Sequence, residues 1–131
     1  MNSKNRIQKP ELPFVFVNMA MTADGKIATA NRAVHSFGSP RDLEHLYKLR
    51  TTADAVMCGA RTVEISDAGL GNGGEKFRKV RLTCGLAEYP SRVIVSGSGS
   101  IDPAANIFQQ RFSPIIILTT CLLYTSPSPR D

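Results

Sequence analysis

The sequence predicts an α/β fold in which a mainly parallel sheet is flanked by helices. Three observations carry that expectation. Four apolar runs of strand length, at 13–20, 54–60, 91–96 and 114–120, are rich in β-branched and aromatic residues. They are joined by a helix-patterned stretch and by long connections, not by two-residue hairpin turns, which favours parallel pairing. The first run, "PFVFVNMA", is apolar on both faces, as a strand covered on both sides should be.

Each element has its own justification. Residues 1–12 are polar and read as a loose arm. "PFVFVNMA" is the first expected strand, and it breaks into the corner "MTADGK", where Asp24 and Gly25 are turn residues. "SPRDLEHLYKLRTTA" at 39–53 carries clear helical grammar. Ser39 is a natural N-cap, Pro40 suits the first helical position, and Asp42 sits where the helix dipole favours an anion. Leu43, Leu46, Tyr47 and Leu49 gather on one side at helical spacing. "DAVMCGA" at 54–60 reads as a buried strand ending at Gly59, with "RTVEIS" opening a short helix after it. From Asp67 to Tyr89 the periodicity is lost, so the stretch reads as a functional loop or excursion. "SRVIVS" at 91–96 and "PIIILTT" at 114–120 are the last two strands, with "GSGSIDP" as turn material between them. The closing "CLLYTSPSPRD", residues 121–131, resembles the conceptual translation of a sequencing adapter and is expected to be a non-native tail. Residues 13–120 are then the credible domain, its N-terminal part only.

Bulk composition narrows the function classes. A chain of 131 residues holds one compact domain, and 42% hydrophobic with 21% charged residues is ordinary for a globular protein. No apolar run approaches the roughly 18 residues that span a bilayer, and no signal-peptide core follows the basic start, so no membrane role and a cytoplasmic location are expected. Sixteen Lys and Arg against eleven Asp and Glu leave a charge of +5. These charges are scattered apart from "EKFRKVR" at 75–81, and no aromatic residues alternate with them, so a nucleic-acid partner is not expected. Cys58, Cys84 and Cys121 are odd in number and lack metal-ligand spacing, which argues against a disulfide framework or a zinc site and for reduced thiols.

Taken together, "VNMAMTADGKIAT", "LYKLRTTADAVMCGARTV" and "YPSRVIV" resemble the reductase domain of riboflavin biosynthesis, a member of the dihydrofolate-reductase-like superfamily. The resemblance runs from Pro13 to Thr120. It implies NADPH-dependent reduction of a ribosylaminopyrimidine 5′-phosphate to its ribitylamino form, the substrate being either the deaminated uracil or its 2,5-diamino precursor. It also implies a phosphorylated pyrimidine partner and a homodimer in the full-length protein. By resemblance, backbone at Met21 lies along the cofactor while Asp24 and Gly25 shape the turn; the same corner is also what a plain chain reversal looks like. Gly59 and Thr62 match the strand-to-helix junction that touches the cofactor, where a glycine permits close approach. Arg61 suits a 2′-phosphate by charge alone, or is a solvated arginine. Arg50 matches the arginine that contacts the ribose phosphate, and its planar fork fits a phosphate, although a cation at a helix C-terminus is favourable without any ligand. Leu70 matches an apolar position on the substrate side.

Departures from the family pattern stand beside these matches. Ser66 occupies the place of an acidic cofactor contact, and Gly73 falls near the place of a substrate arginine. "VHSF" at 34–37 replaces a polar-plus-aromatic pattern ahead of the helix. Asn18 is shared with archaeal and fungal-type single-function reductases. The residues before Pro13 hold no His-x-Glu or Cys-x-x-Cys deaminase signature, and the family's glycine-rich cofactor segment is expected beyond residue 120. No proton donor is assigned; His35 is a candidate and equally an ordinary surface histidine. The alternatives are another reductase on the same fold, or a non-catalytic nucleotide-binding module.

Overall fold

A computed structural model describes residues 12–30, 38–66 and 68–120. The expectations for the arm, for "VHSF" with His35, and for the tail at 121–131 lie outside the described residues. The elements run α1 (Pro40–Arg50), β1 (Ala55–Gly59), α2 (Ala60–Ser66), α3 (Glu75–Thr83), β2 (Ser91–Val95), α4 (Asn106–Gln109) and β3 (Ile115–Leu118).

The three strands form one parallel sheet in the order β1-β2-β3. This is the α/β arrangement the sequence predicts, and it is consistent with a dihydrofolate-reductase-like fold. Met57 lies beside Val93 and Val93 beside Ile116, so these three share one face. Val56, Cys58, Ile94 and Ile115 occupy the other face, where Val63 of α2, Leu70 and Ile107 of α4 close the core over them. On the uncovered face Met57, Val95, Ile116 and Leu118 are each about half exposed.

Local chemistry explains why α1 forms. Ser39 is extended and its Oγ accepts a hydrogen bond from the Asp42 amide at 3.2 Å, with Pro40 next in the chain. At the far end the last turn's carbonyls are all accounted for. Thr51 donates its amide to Tyr47 and Lys48 and its hydroxyl to Lys48 at 2.6 Å, Thr52 donates its hydroxyl to Leu49 at 2.8 Å, and Arg81 reaches the carbonyl of Arg50. Removing the N-cap by Ser39→Ala is expected to cost about 1 kcal/mol. Thermal unfolding would show this as a fall of about 4–8 °C in Tm.

The expected strand at 54–60 forms as β1 but is not buried, its residues alternating exposed and half-buried; two further expectations fail outright, for different reasons. Residues 12–20 form no strand and are exposed along their length, with Phe14 at 90%. Apolar β-branched composition creates only a tendency; a strand exists when another strand accepts its amides, and the sheet built by the described residues pairs only β1, β2 and β3. The stretch read as patternless at 67–89 holds α3. Its buried residues are Phe77 and Arg81, at helical spacing, while Val80 and Leu82 face solvent. A buried arginine with exposed aliphatic neighbours inverts the pattern that periodicity relies on. The available signal was Gly85: at φ 73° it follows the helix, its amide bonds to Leu82 and that of Leu86 to Arg81, the paired ending that needs a glycine.

Candidate functional site

The Asp-Gly corner is a small closed turn. Thr22 and Lys26 are joined by amide-to-carbonyl bonding at 2.9 Å, the Gly25 amide returns to the Thr22 carbonyl at 2.9 Å, and Gly25 takes φ 80°. Asp24 accepts from the Thr22 hydroxyl and from Lys26 Nζ, each at 2.5 Å, and Lys26 beside it holds its carboxyl below the ordinary value. Met21, Asp24 and Gly25 are exposed, and a Cβ at Gly25 would meet nothing within 4 Å.

Gly59 ends β1 at an open rim. A Cβ there would also meet nothing within 4 Å, so close approach to the strand end is unobstructed. Thr62 is exposed on α2, and its carbonyl accepts the Ser66 hydroxyl at 2.5 Å. Ser66, standing where relatives are expected to carry an acid, is therefore turned back on its own helix.

Arg50 leaves the last turn of α1 into a half-buried setting. Nη1 donates to the carbonyl of Gly71 at 2.5 Å, and the guanidinium carbon lies 5.6 Å from the centre of the Tyr47 ring. Its Nε is buried without a hydrogen-bond partner. Among the described residues no carboxylate stands within salt-bridge distance of it. Burial pushes its pKa down, which signals a cation short of counter-charge; an arginine stays protonated all the same. Cys58, half-buried on β1, has its thiol pushed up by burial while Arg50 pulls the other way.

The 68–74 loop sits under Arg50. Leu70 is 5% exposed with φ 54° and packs into the core, so its side chain faces inward and the loop offers backbone outward. Gly73 has φ 85°, and a Cβ on it would collide with the Tyr47 ring. A larger side chain here would have to displace the Tyr47 ring. Gly73→Ala is expected to lose about 2–4 kcal/mol, from left-handed strain and from overpacking, read by urea denaturation.

The structure thus brings Arg50 together with Tyr47, Gly71 and Cys58. The corner at Met21–Gly25 and the junction at Gly59–Thr62 are both exposed, and the Leu70 side chain packs in the core. Residue-by-residue reading missed Asn72 and Arg81. Asn72 is buried, with Nδ2 donating to the Glu88 carbonyl at 3.3 Å and Oδ1 accepting from the Gly74 amide at 3.4 Å. Nothing local marked either residue as buried: Arg81 stands among exposed aliphatic neighbours and Asn72 among glycines. Among the described residues no helix is long and apolar enough to cross a membrane, and no cluster of three His, Cys, Asp or Glu side chains forms a metal site.

The chain is 30% identical over 107 residues to the 2,5-diamino-6-ribosylamino-4(3H)-pyrimidinone 5′-phosphate reductase of Archaeoglobus fulgidus, covering 82% of this chain and 49% of that protein. It is 32% identical over 104 residues to the reductase of the same name from Methanothermobacter thermautotrophicus, covering 79% and 44%. Similarity extends to the riboflavin biosynthesis protein RibD of Chlamydia pneumoniae, 26% identical over 110 residues, covering 82% of this chain and 27% of that one. The chain spans about half the length of the archaeal relatives it matches. The family model of the RibD C-terminal domain matches residues 13–123, nearly the whole of the chain, and the chain belongs to that family.

Proposed function

We propose that this chain is part of a reductase that acts on a ribosylaminopyrimidine 5′-phosphate in riboflavin biosynthesis. The observation that carries the reading is Arg50. A half-buried guanidinium with an unpartnered Nε and, among the described residues, no carboxylate within salt-bridge distance is suited to a phosphate, which a planar fork can hold through two parallel bonds. The names of the archaeal relatives support the substrate class, a phosphorylated pyrimidine.

The cofactor in this reading is a nicotinamide nucleotide, NADPH. The open rims at Gly25 and Gly59, where a Cβ would meet nothing within 4 Å, fit a group that approaches backbone closely. Met21, Asp24, Gly25, Gly59 and Thr62 are the residues that would hold it, and when bound it would supply the hydride. What the chain's own residues do is orient: Arg50 fixes the phosphate end of the substrate, and the core behind Leu70 sets the height of the loop backbone beneath it. Orientation of this kind supplies much of the rate in a hydride transfer. A homodimer and a cytoplasmic location belong to the same proposal.

The test is turnover by the full-length protein. NADPH consumption that requires the pyrimidine phosphate supports the reading. A second reading, a non-catalytic nucleotide-binding module, is favoured by Ser66 being bonded to Thr62 and not offered as an acid. NADPH binding with no turnover of either pyrimidine phosphate would select it and reject the first.

A further inference from the structure

We infer that Arg81 is a positioning residue for Arg50, acting with Asn72 as the two arms of a clamp that hangs the phosphate-binding arginine from one segment, residues 86–89. The inference rests on the reading of Arg50 given above.

The first arm holds the backbone. Arg81 is 1% exposed, and its Nη1 donates to the Arg50 carbonyl at 2.8 Å and to the Ala53 carbonyl at 2.6 Å, while Nε donates to the Ala87 carbonyl at 2.8 Å. One rigid fork therefore ties the end of α1 and the approach to β1 to the connection ahead of β2. The second arm holds the head. Arg50 Nη1 rests on the Gly71 carbonyl, and the next residue, Asn72, donates to the Glu88 carbonyl. Both arms end on adjacent carbonyls, Ala87 and Glu88. A shift of that segment would move the root and the tip of Arg50 together, whereas loss of one arm would let them part.

A residue that touches no ligand yet fixes the angle of one that does should show itself in substrate affinity more than in the chemical step. Kinetics on the full-length protein, with the pyrimidine phosphate as varied substrate, should therefore give Arg81→Met a KM raised about tenfold with kcat within about twofold. Arg81→Lys, which keeps a donor for the Arg50 and Ala53 carbonyls, should recover most of the loss. In an Arg50→Ala background Arg81→Met should add less than about twofold, because its effect passes through Arg50. Should Arg81→Met fail to fold, Asn72→Ala carries the same measurement through the other arm. If Arg50→Ala raises KM while Arg81→Met and Asn72→Ala leave it at the wild-type value, the clamp is wrong. An Arg81→Met penalty of equal size in both backgrounds would likewise overturn it. If Arg50→Ala itself leaves KM unchanged, the phosphate reading falls first.

Discussion

Arg50→Ala is expected to weaken binding of the phosphorylated pyrimidine by about 1.5–3 kcal/mol, or roughly 10- to 150-fold. The size follows from what the side chain lacks. Several charged side chains of α1 and α3 have opposite partners: Glu44 with Lys48 and Lys76, Glu75 with Arg78 and Lys79, and Arg78 also with Glu88 beyond the helix. Arg50 has a carbonyl, an aromatic ring and a buried Nε with no acceptor. An anion arriving there meets a cation already desolvated and already held, so part of the usual cost of ordering and dehydrating it has been met in folding. Arg50→Lys should recover only a fraction, because a point charge cannot reproduce the fork. Titration of the full-length protein with the pyrimidine phosphate measures both variants. Equal affinity in wild type and Arg50→Ala would remove Arg50 from the site.

The second large effect is on stability. Arg92 on β2 is 1% exposed and donates four hydrogen bonds: Nη1 to the Ile107 carbonyl at 2.8 Å, Nη2 to the carbonyls of Gln110 and Ser113 at 2.7 Å each, and Nε to the Ser113 hydroxyl at 3.1 Å. The Phe112 ring lies 4.2 Å from its guanidinium carbon. One side chain thus pins the end of α4 and the whole connection into β3. Burial lowers its pKa, the cost of placing a cation among neutral carbonyls, and the hydrogen bonds offset that cost. Arg92→Ala would strand three carbonyls and open a cavity, with an expected loss of about 3–5 kcal/mol in urea unfolding. That is a large share of the 5–15 kcal/mol typical of a domain. Arg92→Met refills the volume without the donors and should fall within about 1 kcal/mol of alanine. Full recovery by methionine would show that packing, not hydrogen bonding, is what Arg92 contributes.

Reading along the chain worked where the cause is local. The cap at Ser39 and Pro40, the strands at 55–59, 91–95 and 115–118, and the short helix after Gly59 all follow from contacts or patterns within a few residues. Arg50 could be singled out, on its place in a family pattern, before any geometry was known. The neighbours that make it a candidate, Gly71 at 21 residues' separation and Cys58 on β1, could not. Leu70 shows the opposite case: resemblance matched it to an apolar position on the substrate side, while its side chain is 5% exposed and packs in the core.

The amino-acid sequence by itself determined the fold class, the capped helix, three of the four strands and the family, because capping, β-branched apolar runs and the family's blocks are each contiguous along the chain. Only the tertiary structure decided that residues 12–20 stay unpaired, that Arg81 and Arg92 turn inward, and that Arg50 meets a carbonyl and no carboxylate. Those outcomes depend on which distant backbone groups come within about 3 Å of a donor, and that is a property of the packed chain.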